Sequence, residues 1–395
     1  MFVRPARRLT LAAITAGLAV GVTACGGSSS GASGTSGAQP AASGDAHTAN
    51  ITVTSAEGCK PDRTDFEAGA ITFKITNQDA TAVSEVELLG GQRIIGEKEN
   101  LPPGFNGTFS VSVPAGNYTL YCPGASTENT ALTVTGTAAS SGDSSLTDLY
   151  ATGTKEYATY INDQVGYLVD STKALDEALH GTDLEAAQTA YAKARPYYEK
   201  IEAVAESFTA GSTDLDAAID ARDGDVPKSQ WTGFHPIEKG LFQDKSLKGL
   251  GDLGDGLAAN AAKLQDLTKD LTYQPYELAN GAQELLDEVA GSKITGEEER
   301  YSHIDLLDFS GNLEGAQQAF ADLQPALEQI DPTLSGQVST NFTALSDLLK
   351  KYEAADEPSG YKLYGDLTAA DKRGFAAAVK AVQEPLSKVA AKVSH

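Results

Sequence analysis

The chain has 395 residues, with 54 Asp and Glu against 30 Lys and Arg, a formal net charge of -24. That surplus argues against binding nucleic acid or an anionic membrane surface, which need a basic face, and suits an exported protein that meets cations. With 41% hydrophobic and 21% charged residues it is too apolar for wholesale disorder, its length predicts about two or three domains, and its 3 Cys exclude a disulfide-dense scaffold or a Cys-rich zinc array.

Arg4, Arg7 and Arg8 form a positive start, and Leu9 to Val22 is an apolar stretch of signal-peptide length, short for a bilayer span. It ends in Val22-Thr23-Ala24-Cys25. This resembles the bacterial lipobox, where small residues precede a Cys that is lipidated and becomes the mature N-terminus. Residues 1–24 are therefore expected to be a lipoprotein signal peptide, with lipid at Cys25 as the only membrane attachment. An ordinary secretory signal is the alternative, and Arg7-Arg8 leaves twin-Arg export open. The first 24 residues carry three Arg and no acid, so their removal takes the charge from -24 to -27. Residues 25–44 are rich in Gly, Ser, Ala and Thr. They cannot bury a core and read as a flexible tether with a reach of roughly 25 Å.

Residues 45–135 read as a β-sandwich. Ile51 to Thr54, Ile71 to Ile75, Val83 to Leu88, Phe109 to Val113 and Tyr118 to Tyr121 alternate apolar and polar residues. Turn residues such as Asn77-Gln78-Asp79, Gly90-Gly91 and Pro102-Pro103-Gly104 separate them, which predicts an antiparallel sandwich. The order of these elements, with Gly116-Asn117-Tyr118-Thr119-Leu120-Tyr121-Cys122, resembles a cupredoxin. A blue-copper site needs two His beside the Cys, usually with a weak axial Met. No His lies between residues 48 and 179, and the 1 Met is Met1, so that site is excluded. Cys59 and Cys122 then form either a disulfide, as an oxidising compartment favours, or a thiolate metal site with a nearby carboxylate. Glu85 and Glu87 are two apart on a strand and share a face, expected to be solvated.

A small-residue linker, 136–145, precedes a helical region, 146–395. Leu149, Tyr157, Ile161, Leu168, Leu175 and Leu179 recur at helical spacing. A second helix is expected from Leu184 to Phe208, kinked at Pro196. Leu253 to Leu271, Pro275 to Val289, Ile304 to Ala326, Leu334 to Tyr352 and Leu367 to Val393 read the same way, hence antiparallel bundles with short loops.

Three places break the bland pattern. His235 and Glu238 are three apart, with Pro236 suited to a first helical turn, so both lie on one face of a helix start. Imidazole plus carboxylate there is half of a transition-metal site, or a satisfied core histidine. Glu199, Glu202 and Glu206 share a helix face with no matching Lys; Asp214, Asp216, Asp220, Asp223 and Asp225 follow. Close carboxylates repel unless a proton or cation lies between them, so this is a hard-cation site or a solvated face. In Glu297-Glu298-Glu299, behind Thr295, the acids read as a helix cap or as more than a cap requires.

Four motifs now carry a specific resemblance. They are Tyr198-Glu199-Lys200-Ile201-Glu202, Asp214-Leu215-Asp216 through Arg222, Gly233-Phe234-His235-Pro236-Ile237-Glu238 through Phe242, and Ile294-Thr295-Gly296-Glu297-Glu298-Glu299 through Leu306. In that order they resemble the imelysin-like domain of the EfeO family, extracytoplasmic iron-uptake components in which a cupredoxin-like domain comes first. The resemblance covers nearly all of the mature chain. It implies an N-terminal all-β cupredoxin-like sandwich plus a C-terminal all-α imelysin-like double four-helix bundle, with sites between helices. The family's His-x-x-Glu signature falls on His235 and Glu238, and its acidic ligands on Glu199, Glu202, Asp216 and Glu298 or Glu299. The β-domain's suggested ligands fall on Cys59, Cys122 and Glu85.

The function so implied is an exported, lipid-anchored protein at the outer face of the cell membrane, periplasmic or cell-surface. It binds iron, ferric or ferrous, and delivers it to a ferrous-iron permease, with a haem-dependent peroxidase as a further partner. Copper or zinc would also suit the donors. A metallopeptidase is the enzymatic alternative, though no His-Glu-x-x-His occurs. A structural or polysaccharide-binding surface lipoprotein is the third reading.

Overall fold

The computed structural model describes residues 47–83, 85–91, 93–98, 101–137, 144–208 and 214–394. The expected signal peptide, Cys25 and the tether lie outside them.

Alternation builds the sandwich. In β1 (Thr48–Thr54) Ala49, Ile51 and Val53 are buried, and in β4 (Gly69–Asn77) so are Ile71, Phe73 and Ile75. Between them come β2 (Gly58–Pro61) and β3 (Asp65–Glu67), and after them β5 (Val86–Gly90), β6 (Arg93–Lys98), β7 (Asn106–Val113), β8 (Gly116–Tyr121) and β9 (Asn129–Thr135). One sheet runs β2-β1-β4-β7, the other β3-β9-β8-β5-β6. Phe73 and Phe109 stack between them with ring centroids 4.9 Å apart. The pairing is not all antiparallel, as expected from the sequence. β1 pairs β4 in parallel, and β3 pairs β9 in parallel. The chain hairpins from β1 to β2, visits the opposite sheet as β3, and so returns beside β1 in the same direction.

Cys59 in β2 and Cys122 after β8 are joined in a disulfide, with Cα atoms 6.3 Å apart. It ties one sheet to the other. Sulfurs bonded to each other are not thiolate ligands, so the disulfide alternative describes this pair, and the metal assignment of Cys59 and Cys122 is corrected.

The helices follow the predicted periodicity. They are α1 (Ser144–Leu179), α2 (Leu184–Glu199), α3 (Glu202–Glu206), α4 (Leu215–Asp220), α5 (Phe234–Glu238), α6 (Gly251–Thr268), α7 (Pro275–Glu288), α8 (Asp305–Ile330), α9 (Pro332–Leu349), α10 (Ala369–Leu386) and α11 (Val389–Val393). Helices α1, α2, α6 and α8 pack as one group of four and α7, α8, α9 and α10 as another, so the long α8 serves both. Among the described residues no helix is long and apolar enough to cross a membrane.

Two expectations about continuity are revised. The second helix does not reach Phe208: Lys200 and Ile201 interrupt it, and Ile201 N donates to Tyr198 O at 2.8 Å in a tightened turn. Thr295 caps no helix. Its hydroxyl donates back to Ser292 O at 2.7 Å, closing a π-helical turn, Val289–Lys293, and the acids that follow lie in turns.

The sandwich and the bundle form one compact unit. Tyr276 of α7 packs into the sandwich core. Asn280 Nδ2 donates to Ser110 O at 2.9 Å, and Ile94 N donates to Ser207 O at 3.2 Å.

Candidate metal centre

Two breaks in the helical pattern gather the acids. The interruption after α2 turns Glu199 and Glu202 onto one buried cation, Lys293, while Glu206 faces elsewhere. Lys293 closes the π-helical turn after α7, is fully buried, and has its Nζ 3.3 Å from Glu199 Oε2, 3.3 Å from Glu202 Oε1 and 3.5 Å from Glu298 Oε2. Arg195, one turn before Glu199 on α2, is also fully buried. Its guanidinium lies against the ring of Phe234 at 4.9 Å and meets Glu199, Asp220, Glu298, Glu299 and Asp308. The Glu299 contact is 3.0 Å and the Asp308 contact 3.0 Å.

His235 enters this cluster from the first turn of α5. Gly233, just before that helix, has φ +83, and a Cβ there would lie 1.9 Å from Ile219 O, so the end of α4 and the start of α5 touch at a residue that only glycine fits. His235 Nδ1 sits 3.4 Å from Glu238 Oε2. Its Nε2 lies 3.5 Å from Asp220 Oδ1 and 3.4 Å from Glu298 Oε1, and makes a directed hydrogen bond to neither. Glu238 accepts from Tyr301 N and Ser302 N, each at 2.7 Å, so it anchors the loop that carries Glu298 and Glu299 and orients the imidazole.

Burial and charge set the protonation. Burial opposes charge on His235, but Asp220, Glu238 and Glu298 outweigh it and raise the imidazole pKa well above its ordinary value. Burial likewise opposes Glu298; Lys293, His235 and Arg222 nevertheless hold it well below the usual carboxylate range. Burial raises Glu199 against the pull of Arg195 and Lys293, and raises Glu202 further. Acids therefore outnumber bases inside the bundle, a costly arrangement unless protons or cations supply the balance.

Three overlapping donor sets result: Asp220, His235 and Glu298; Glu199, Glu298 and Asp308; Glu199, Glu202 and Asp220. In each set, one ligand atom per residue lies within 4.8 Å of the others. Oxygen donors with one imidazole suit a hard or borderline cation. The buried Nε2 of His235 and Oδ1 of Asp308, neither with a hydrogen-bond partner among the described residues, are consistent with that use. A cleft of about 270 Å³ lined by Glu202, Asp214, Asp216, Asp220, Glu288 and Glu298, among others, leads to the cluster, and Asp214 and Asp225 at its edge are exposed.

The fold thus brings together Glu199, Glu202, His235 and Glu298 of the sequence candidates, with Glu238 behind His235. Asp216 stands in the cleft wall, where it accepts a hydrogen bond from Tyr198 Oη; burial raises its pKa to about 7 against that bond. Glu85 lies in the β-lobe, its pKa raised by burial and then by Asp214 and Glu288 of the bundle. Glu87, expected on a solvated face, is buried. In the sequence Asp220 figures only within the acidic run, with Asp216 as the position the resemblance matches, and Arg195, Lys293 and Asp308 carry no signal that singles them out, beyond the spacing of Asp305 and Asp308, three apart at the start of α8.

Residues 153–389 match the imelysin family (Peptidase_M75). The "Iron uptake system component EfeO" of Escherichia coli O157:H7 is 36% identical over 344 residues, covering 86% of this chain and 89% of that relative. The proteins of the same name from Escherichia coli strain K12 and Shigella flexneri are 35% identical over the same 344 residues. The chain belongs to the EfeO family. Among the described residues of this EfeO-family chain the one buried histidine, His235, lies in the imelysin region together with the acids that face it. His303, the other histidine near the motif, is exposed.

Proposed function

We propose that this chain is the extracytoplasmic, lipid-anchored iron-binding component of an iron-uptake system, tethered at Cys25, and that it captures iron in the bundle and passes it to a membrane permease. The observation that carries the reading is the buried set Asp220, His235, Glu298, Glu199 and Glu202, where carboxylates exceed the cations that face them. Iron is the cargo. Carboxylates favour the ferric ion, and the imidazole also accepts the ferrous ion, zinc or copper. Asp216 and Glu85 belong to the acidic rim a cation meets first, which raises its local concentration. Arg195 and Lys293 offset the repulsion between the carboxylates before loading, and an arriving cation competes with Lys293 for Glu199 and Glu202. A ferrous-iron permease and a haem-dependent peroxidase of the same system are the partners that the family resemblance suggests.

We read the protein as a binder rather than a hydrolase. A zinc hydrolase normally brings three protein ligands, an open position and a base, and here a buried guanidinium and ammonium stand among the acids. Iron binding by the full chain is the test. Glu199→Gln with Glu202→Gln, and separately His235→Ala with Glu238→Gln, should each weaken it at least about tenfold, the loss of roughly 1.4 kcal/mol or more. Wild-type affinity in both double variants would show the assignment to be wrong. Chelator-sensitive release of new termini from a peptide pool would favour the hydrolase.

A further inference from the structure

Strand β6 meets the bundle in a pattern of charge that a structural interface does not need. At one end Arg93 pairs with Glu277 of α7 at 2.9 Å, and at the other Lys98 pairs with Asp287 of the same helix. Between these two ion pairs stands Glu97, and the α7 residue that faces it is Glu284, another acid. Ligand atoms of Glu97, Glu284 and Glu206, the last residue of α3, all lie within 4.8 Å of one another. Backbone contacts fix the approach, because Ile94 N of β6 donates to Ser207 O, directly after Glu206.

A second observation points into the same place. Glu87 of β5 is the cross-strand partner of Glu97, so the two side chains stand on one face of the sheet. Glu87 is 4% exposed and Glu97 6% exposed. Glu87 Oε2 has no hydrogen-bond partner among the described residues. Like charges directly opposite on neighbouring strands are destabilising, and a buried carboxylate without a partner is more so. Burial raises Glu87 to about 8, with Glu85 and Asp214 adding to it, and burial raises Glu284 to about 8 against the pull of Lys98, with Asp287 and Glu277 adding to it. Three acids from both lobes converge, with Glu87 beside Glu97 on the sheet, where one ordinary cation would have completed the row of ion pairs.

We propose that the junction of the two lobes is a second cation site, in which Glu97 and Glu87 of the sheet and Glu284 and Glu206 of the helices hold a hard, oxygen-preferring multivalent ion. Carboxylates from both sides of a junction are the donor chemistry of calcium and of ferric iron. The site shares no residue with the histidine cluster, although Glu206 also lines the cleft that leads to that cluster, and a bound ion at the junction fastens the sandwich to the bundle.

The test is equilibrium dialysis of the full mature chain with calcium and, in a parallel arm, with ferric nitrilotriacetate, followed by elemental analysis. In whichever arm the ion is the natural one, Glu97→Gln with Glu284→Gln should lose one equivalent, or bind it at least tenfold more weakly. Glu199→Gln with Glu202→Gln should leave that equivalent in place. The cation-free melting temperature of the Glu97→Gln, Glu284→Gln protein should rise, since repulsion is relieved; a purely structural role would lower it. Glu87→Gln, altered on the sheet side alone, should weaken the same equivalent. Unchanged stoichiometry and affinity in both arms for these variants would mean that the carboxyls share protons instead, and would overturn the proposal. Loss of the other equivalent alone in the Glu199→Gln, Glu202→Gln protein bears on the bundle site and leaves this one standing.

Discussion

Lys293 shows how one residue decides the state of the cluster. Burial lowers the pKa of its ammonium, but Glu199, Glu202, Glu298 and Glu288 outweigh that and raise it well above the ordinary value. A raised lysine contributes stability that is full below its unfolded pKa and lost only as pH rises through the folded one, so near neutrality it stays charged. Removing one partner of a buried ion group leaves the others uncompensated. Lys293→Met is therefore expected to lower metal-free stability by about 3–5 kcal/mol, read by urea unfolding. Iron should restore more stability to this variant than to the parent, because it supplies the missing charge. A loss near zero would mean that the neighbouring carboxyls are already protonated.

At the scale of elements, the site depends on where helices stop and touch. Gly233 lets α4 and α5 meet. Gly233→Ala combines a positive φ with a backbone clash, so it should cost about 2 kcal/mol or more and weaken iron binding by displacing His235. Paired thermal melts and iron titrations check both parts; full stability with unaltered binding would refute them. Helix α8 carries a separate pH response. Burial raises Asp322 to about 6, the Gln318 hydrogen bond opposes this, and Glu156 adds to it. A carboxyl with a raised folded pKa holds its proton better folded than unfolded, so its contribution is present below the unfolded value and lost as pH rises through about 6. Asp322→Asn should melt a couple of degrees higher than the parent at pH 7, allowing for solvent screening, and should converge with it below pH 4. Equal melting temperatures throughout would remove Asp322 as the cause.

For the molecule as a whole, the disulfide and the cation cluster belong to different lobes and should respond independently. Cys59 and Cys122 are separated by 63 positions, and closing a loop of that size restricts the unfolded chain by about 4 kcal/mol in the chain-entropy account. Replacing both Cys with Ala should destabilise the sandwich by roughly that amount or less, seen as an earlier unfolding step. Iron affinity of the bundle should be unchanged. A parallel fall in iron affinity would show that the sandwich shapes the histidine cluster through α7, the helix that lends Tyr276 to its core.

The sequence by itself determined the two lobes, their order and most of their elements, because alternation and helical periodicity are local signals. It also placed the motifs around Glu199, Glu202, His235 and Glu298, since acids without nearby bases and a histidine three residues from a glutamate are visible in one dimension. It had no access to what crosses long stretches of chain. The parallel pairing of β1 with β4 depends on the detour of β3 into the other sheet. The break at Lys200 and Ile201, which points Glu199 and Glu202 at Lys293 and sends Glu206 to the lobe junction, is set by packing against α8 and α7. Asp220 meets His235 while Asp216 stands in the cleft wall, because the last turn of α4, rather than its first, faces His235. Arg195, Lys293 and Asp308 look like ordinary helix residues until folding buries them together. Burial is what gives these charges their chemistry, and it is a property of the tertiary structure: an acid on a solvated face and an acid in this cluster have the same sequence signature, and only the loss of water distinguishes them.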